Sequence, residues 1–180
     1  FNIYSNGTLD LSGLTNLDWP GKKGFYVQGT NNTLLTNVTH ATSTDFENYG
    51  SGYTFSLPKL AGMSGTGCKL YTSSGGAISA PLLTTAANTD ITCGGPLSLD
   101  ALTSLTGSSI LVYGTYSLSL PAVTNFVDCG MTLYDGSSFS APLVTSIANT
   151  VYKNLSVTGT VTLNLPATSI TNLTINSSSN

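Results

Sequence analysis

The chain has 180 residues, 40% of them apolar, and a formal net charge of −3 from five Lys, no Arg and eight acidic residues. Charged residues make up only 7%, against about a quarter in an ordinary globular protein; so few cations argue against nucleic acid as a partner, and no apolar run approaches the roughly 18 residues of a membrane span. Ser and Thr fill 52 positions, but the apolar content is too high for a disordered polar linker.

In chain order, the first strand signal is Ile3-Tyr4-Ser5-Asn6-Gly7, followed by the phrase Leu9-Asp10-Leu11-Ser12-Gly13-Leu14. That phrase returns weakly at Thr33 to Val38, then as Phe55-Ser56-Leu57-Pro58, Ile78-Ser79-Ala80-Pro81, Leu97-Ser98-Leu99-Asp100, Leu118-Ser119-Leu120-Pro121, Phe139-Ser140-Ala141-Pro142 and Leu163-Asn164-Leu165-Pro166. With the proline position taken as zero, the eight copies are separated by 24, 22, 23, 19, 21, 21 and 24 residues. Self-similarity at such a period marks a solenoid. Position −3 is apolar in seven of the eight copies, −1 is always Leu or Ala and −2 is usually polar, the period-two pattern of a half-buried strand, which proline then ends.

Beyond the corner, positions +2 and +5 are apolar in seven copies, and position +3 is Thr in six copies: Thr15, Thr39, Thr84, Thr103, Thr124 and Thr145. A second strand precedes a Gly in each repeat, as in Phe25-Tyr26-Val27-Gln28-Gly29 and Ile110-Leu111-Val112-Tyr113-Gly114. No window carries a helical stripe. The expected fold is all-β: a single β-solenoid domain over residues 1–180, of about eight coils with a repeat of about 22 residues and little or no helix, interrupted by loop excursions at 18–24 and 40–53. The first residue is Phe1 with no basic-apolar leader, which reads as a mature or excised segment.

The phrase L-S-L-P-x-V-T, with the alternating strand and Gly that follow it, resembles the leucine-rich, L-domain-like repeats of fungal cell-wall glycoproteins and similar phrases in bacterial surface leucine-rich repeats, from about Leu9 to Ile175. The asparagine of ordinary leucine-rich repeats is missing and no helical segment follows each strand, which favours a flatter, β-only coil over a horseshoe. The resemblance implies an extracellular, glycosylated, non-enzymatic protein.

Chemistry-bearing residues are sparse. The nearest acid pairs are Asp45 with Glu47 and Asp128 with Asp135; His40 has no ligand partner at metal spacing, and Cys68, Cys93 and Cys129 are an odd set that reads as buried thiols, with a Cys68–Cys93 bridge left open. Neither an enzyme, a metal site nor a cofactor is expected. Six N-x-S/T sequons, at Asn6, Asn31, Asn37, Asn154, Asn172 and Asn176, are candidate glycosylation sites. Counting back from the strand Gly puts Tyr4, Tyr26, Leu111 and Leu133 on an outward column, a candidate partner surface. Ile3-Tyr4-Ser5 and Leu173-Thr174-Ile175 read as uncapped strand edges able to pair with another copy. The expected function is therefore an extracellular or cell-surface structural or adhesive protein, a glycosylated subunit that joins end to end into a filament, with itself and glycans as partners. The alternatives are a carbohydrate- or ice-binding module using the Thr column and, remotely, a polysaccharide-active enzyme.

Overall fold

In the computed structural model, the residues described are 1–4, 7–28, 32–50, 52–134, 136–149, 151–155, 162–164, 166, 169–171 and 174–177. Every described strand pair is parallel and every regular element is a strand. The chain winds around three faces. The first carries Gly62–Ser64, Thr85–Ala87, Ser104–Thr106, Asn125–Val127 and Ser146–Ala148. The second carries Cys68–Thr72, Thr89–Cys93, Ser109–Val112, Gly130–Tyr134 and Val151–Leu155. The third is built of short strands such as Thr54–Ser56, Ala77–Ser79, Ser117–Ser119 and Ser138–Ser140.

The solenoid makes about six turns with a repeat of about 21 residues. Along Met63, Ala86, Leu105, Phe126 and Ile147 successive partners are 23, 19, 21 and 21 residues apart. This corrects the expected number of coils, about eight, while the repeat is close to the expected length of about 22 residues. A motif copy marks one strand and its corner, whereas a turn needs all three faces, and the outermost copies are less regular. Near the start, the stretch expected as an excursion at 18–24 lies within one strand, Asn16–Val27, whose register breaks between Asp18 and Lys23. Most of the excursion expected at 40–53 is likewise strand, His40–Asn48, which bends from the first face to the second.

Inward columns follow the sequence phase. Positions −3 and −1 supply Phe55, Leu57, Ile78, Ala80, Leu99, Leu118, Leu120, Phe139 and Ala141, all buried; +2 and +5 supply Leu60, Leu83, Leu102, Val123, Leu105, Phe126 and Ile147. Leu120 is fully buried while Ser119 faces solvent. Leu120→Ala is therefore expected to cost about 2–5 kcal/mol and Ser119→Ala under about 0.5 kcal/mol, compared by denaturant melts.

Seven residues past position zero, six successive copies take a left-handed backbone: Ser43 (φ 48°), Gly65 (99°), Asn88 (50°), Gly107 (61°), Asp128 (54°) and Asn149 (48°). Gly, Asn and Asp tolerate this region best. It turns the chain from the first face to the second. Asn149 donates from Nδ2 to Asp128 Oδ1 at 3.0 Å, tying successive corners together.

Candidate functional site

Just inside that corner a buried hydroxyl or thiol bridges the bend. Thr44 donates to Thr42 O (2.9 Å), Thr89 to Ala87 O (3.1 Å), Ser108 to Thr106 O (3.1 Å), and Cys129 Sγ to Val127 O (3.3 Å). Cys68, in register with Thr89, donates to Ser64 O at 3.0 Å. Cys93 donates to Gly95 O at 3.3 Å beside Thr72, which reaches the same carbonyl at 3.1 Å. All three cysteines are buried and free, so the Cys68–Cys93 bridge is not formed. Burial pushes the Cys93 thiol up to about 11 and raises that of Cys129. These sulfurs occupy hydroxyl positions in a structural ladder.

The Thr column is also used inside the coil. Thr39, Thr84, Thr103 and Thr145 donate from Oγ1 to the carbonyls of Thr15, Ala61, Thr84 and Thr124 on the preceding turn, at 3.1, 3.0, 3.0 and 3.4 Å. Their backbone N–H groups reach the same carbonyls. Each Thr thus makes two bonds to the turn below it and has no hydroxyl proton left to order a lattice of water.

The second face carries the mixed chemistry. On His40–Asn48 the inward residues are Thr44, Phe46 and Asn48, and the outward ones are Asp45 and Glu47. Parallel register sets Asp45 between Gly24 and Lys69, and Glu47 between Tyr26 and Tyr71. The Tyr26 ring lies over Gly24, where a Cβ would sit 2.5 Å from it, and Lys22, carried by the register break, reaches Asp45 Oδ2 at 3.2 Å. Lys69 meets Glu47 Oε1 at 3.2 Å, and the Tyr49 hydroxyl donates to Glu47 Oε2. Both carboxylates are only 2% exposed. The phenol rings of Tyr49 and Tyr71 pack with centroids 4.9 Å apart. Further along, the Tyr113 ring lies over Gly94, where a Cβ would sit 2.0 Å from it, and its hydroxyl donates to Thr72 O at 3.4 Å.

Electrostatics follow from burial. Asp45 is raised above the ordinary carboxylate range by desolvation, which outweighs the Lys22 contact, and its Oδ1 has no hydrogen-bond partner. Desolvation and the bond to Glu47 raise Tyr49 well above the usual phenol range. For Lys69 burial works downward, but Glu47 holds the ammonium above its ordinary value. Because the folded state favours protonated Asp45, its contribution to stability is present below the unfolded value of about 3.9 and is lost as pH rises through the higher folded value. Asp45→Asn is expected to remove that decline and leave the protein at least as stable at pH 7. Urea melts of both forms from pH 4 to 7 measure the difference.

The structure brings Asp45 and Glu47 together, as their spacing suggested, and adds Lys22 and Lys69 from neighbouring turns. Asp128 is an exposed corner residue, and Asp135 lies outside the described residues. The outward column is corrected at one member: Tyr4 is 65% exposed and Tyr26 and Leu111 are half-buried, but Leu133 is fully buried. Its rung partner is Val112, whereas Leu111 pairs with Thr132. Corner lengths before the strand Gly vary, so counting back from it loses phase.

Among the sequons, Asn37 is half-buried, donates to Ser12 O at 2.7 Å and accepts from Lys59 at 2.6 Å. Asn154 stands in register with the buried Leu133, and Asn176 in register with Lys153; Asn6, Asn31 and Asn172 lie outside the described residues. At the expected edges, the first strand is Asn2–Ile3, paired with Tyr26 and Val27, so Tyr4 lies past it and Ser5 is not described. Thr174 and Ile175 pair with Val151 and Tyr152, while Leu173 lies outside the described residues.

Fold and site together define a parallel, three-sided β-solenoid of low charge whose one chemically mixed face holds closed ion pairs among tyrosines. Comparison with protein-family models, curated proteins and solved structures finds no match to this chain. No described helix is long and apolar enough to cross a membrane, which leaves β-barrels unaddressed.

Proposed function

We propose that this chain is an extracellular or cell-surface structural or adhesive protein, glycosylated, that acts by displaying its faces and joining copies end to end rather than by catalysis. The observation that carries the reading is the internal use of its polar groups. Thr and Asn side chains bond one turn to the next, Ser and Cys side chains tie the bends within a turn, and the two carboxylates best placed for acid–base work are each closed by a lysine. What remains is a stiff rod of about six turns, about 29 Å long at roughly 4.8 Å per turn. Asn2–Ile3 pairs with Tyr26 and Val27, and a parallel ladder of this kind extends by adding a strand to an open edge. A first turn docking on a last turn is a heterologous contact, which builds filaments.

The alternative, carbohydrate or ice binding through the Thr column, is weakened by the engagement of those hydroxyls in stacking. A polysaccharide-active enzyme is the remote alternative, since Asp45 and Glu47 are almost wholly covered. Sedimentation velocity over a wide concentration range, with electron microscopy of the native material, tests assembly. Concentration-dependent rods are expected, and a monodisperse monomer throughout would overturn the reading. Intact-mass analysis of protein from its native source tests glycosylation, and a bare polypeptide would remove that part.

A further inference from the structure

The second face holds a cleft beside the Asn2–Ile3 strand and away from the Thr column. Asn2, Tyr4, Tyr26, Gln28 and Tyr49 enclose a volume of about 300 Å³. That is the lower end of the range for small-ligand sites, roughly 300–1,000 Å³. Tyr26 stands on the rung between Asn2 and Glu47, so the cleft spans neighbouring turns. Tyr4 is 65% exposed and Tyr49 37%. An exposed tyrosine presents an apolar ring face and a polar tip to whatever enters.

The cleft wall is held in place from behind. The Tyr49 hydroxyl donates to Glu47, and Lys69 holds the other carboxylate oxygen at 3.2 Å. The Tyr49 ring also rests against Tyr71, tilted by 38°. A ring fixed at its tip and at one face loses little freedom when a ligand stacks on it. The charged side chains behind the cleft are paired, Glu47 with Lys69 and Asp45 with Lys22, and the Phe1 ammonium beside Asn2 donates to Gly24 O at 2.6 Å. A charged ligand would therefore find no unpaired side chain of opposite sign on these rungs.

Aromatic faces, two amide side chains on the rim and paired charged side chains behind them describe the recognition chemistry of one class of ligand. A neutral sugar has an apolar C–H face to lie on a ring, and a rim of hydroxyls that both donate and accept. We propose that this tyrosine cleft binds an uncharged oligosaccharide, with a sugar ring stacked on Tyr4 or Tyr49 and its hydroxyls bonded to Asn2 and Gln28. The inference goes beyond the structural reading; because Asn2 belongs to the strand that end-to-end joining would use, binding is measured at a concentration where sedimentation shows single copies. A proline-rich peptide could also lie in a tyrosine groove, but it would leave the amide rim poorly matched.

The test is isothermal titration calorimetry of the whole chain with cellopentaose, laminaripentaose and mannopentaose, with decaproline and a heparin hexasaccharide alongside. At least one neutral pentasaccharide is expected to bind. Tyr4→Ala should weaken that binding by about tenfold, a shift typical of losing one aromatic anchor, while Tyr4→Phe keeps it within about threefold because the ring face remains. Tyr4 is exposed, so both variants should fold and melt as the parent does; Tyr49→Ala provides a second reading. Failure of all three neutral sugars to bind at millimolar concentration overturns the proposal. So does sugar binding untouched by both Tyr4→Ala and Tyr49→Ala, or binding confined to decaproline or heparin. None of these measurements reads self-association, so the outcome is separable from the assembly test.

Discussion

Phe46→Ala is expected to destabilise the protein by about 3–5 kcal/mol, the range for a large aromatic removed from a packed core. Phe46 is fully buried at the bend where His40–Asn48 passes from the first face to the second. Its ring stacks on Phe25 at 5.8 Å and meets the edge of Phe55 at 5.7 Å, while Phe25 stacks in turn on Phe1 at 5.3 Å. Removing the middle ring deprives two others of a neighbour and leaves a void that β-strands locked in register cannot close. Phe46→Leu keeps most of the volume and is expected to cost about 1.5 kcal/mol or less. Urea melts of the three proteins check both values. Similar midpoints for parent and Phe46→Ala would mean that this bend is not packed as described.

Gly95→Ala, the addition of a single methyl group, is expected to cost about 1–3 kcal/mol or more. At the corner between the second and third faces, a Cβ on Gly95 would lie 2.1 Å from Gly76 O. A Cβ on Gly76 would in turn lie 2.7 Å from Asn48 O. The obstacle is backbone and cannot rotate away, so the turns must separate. Separation would also strain the bonds that Thr72 and Cys93 make to Gly95 O. Gly13→Ala is the control: nothing lies within 4 Å of its added Cβ, and a change within about 0.5 kcal/mol is expected. Thermal melts of the two variants should differ widely, and equal melting temperatures would refute the close approach.

How far each feature could be read from the sequence depended on how local its cause is. Leu57, Leu99 and Leu120 were readable because alternation within three residues, closed by a proline after Leu57 and Leu120, places them without knowledge of neighbouring turns. The all-β solenoid followed from repetition of that unit. Leu133 was misplaced because its position was counted across a corner of variable length; counted forward from Pro121 it falls in phase with Val112 and Cys93. The left-handed column was present as Ser43, Gly65, Asn88, Gly107, Asp128 and Asn149, always seven past position zero, but mixed residue types hid it. Asp45 and Glu47 stood out as a pair. Lys22 and Lys69, 23 and 24 residues away from Asp45, joined them only once the register between turns was known. The cleft was less visible still, since Tyr4, Tyr26 and Tyr49 come from three different passes of the chain.

The sulfur atoms lodged in the hydroxyl ladder give the molecule a built-in record of its own unravelling. Cys68, Cys93 and Cys129 are buried and unbridged, so no thiol reagent reaches them while their turns stay closed. In a linear stack, opening spreads from turn to turn and need not be simultaneous. Three thiols at successive stations along the rod are therefore three chemical timestamps. The order in which they are labelled under mild denaturant reports which end frays first, with no probe added to the protein. The same arrangement leaves no disulfide in the folded rod for a reductant to break.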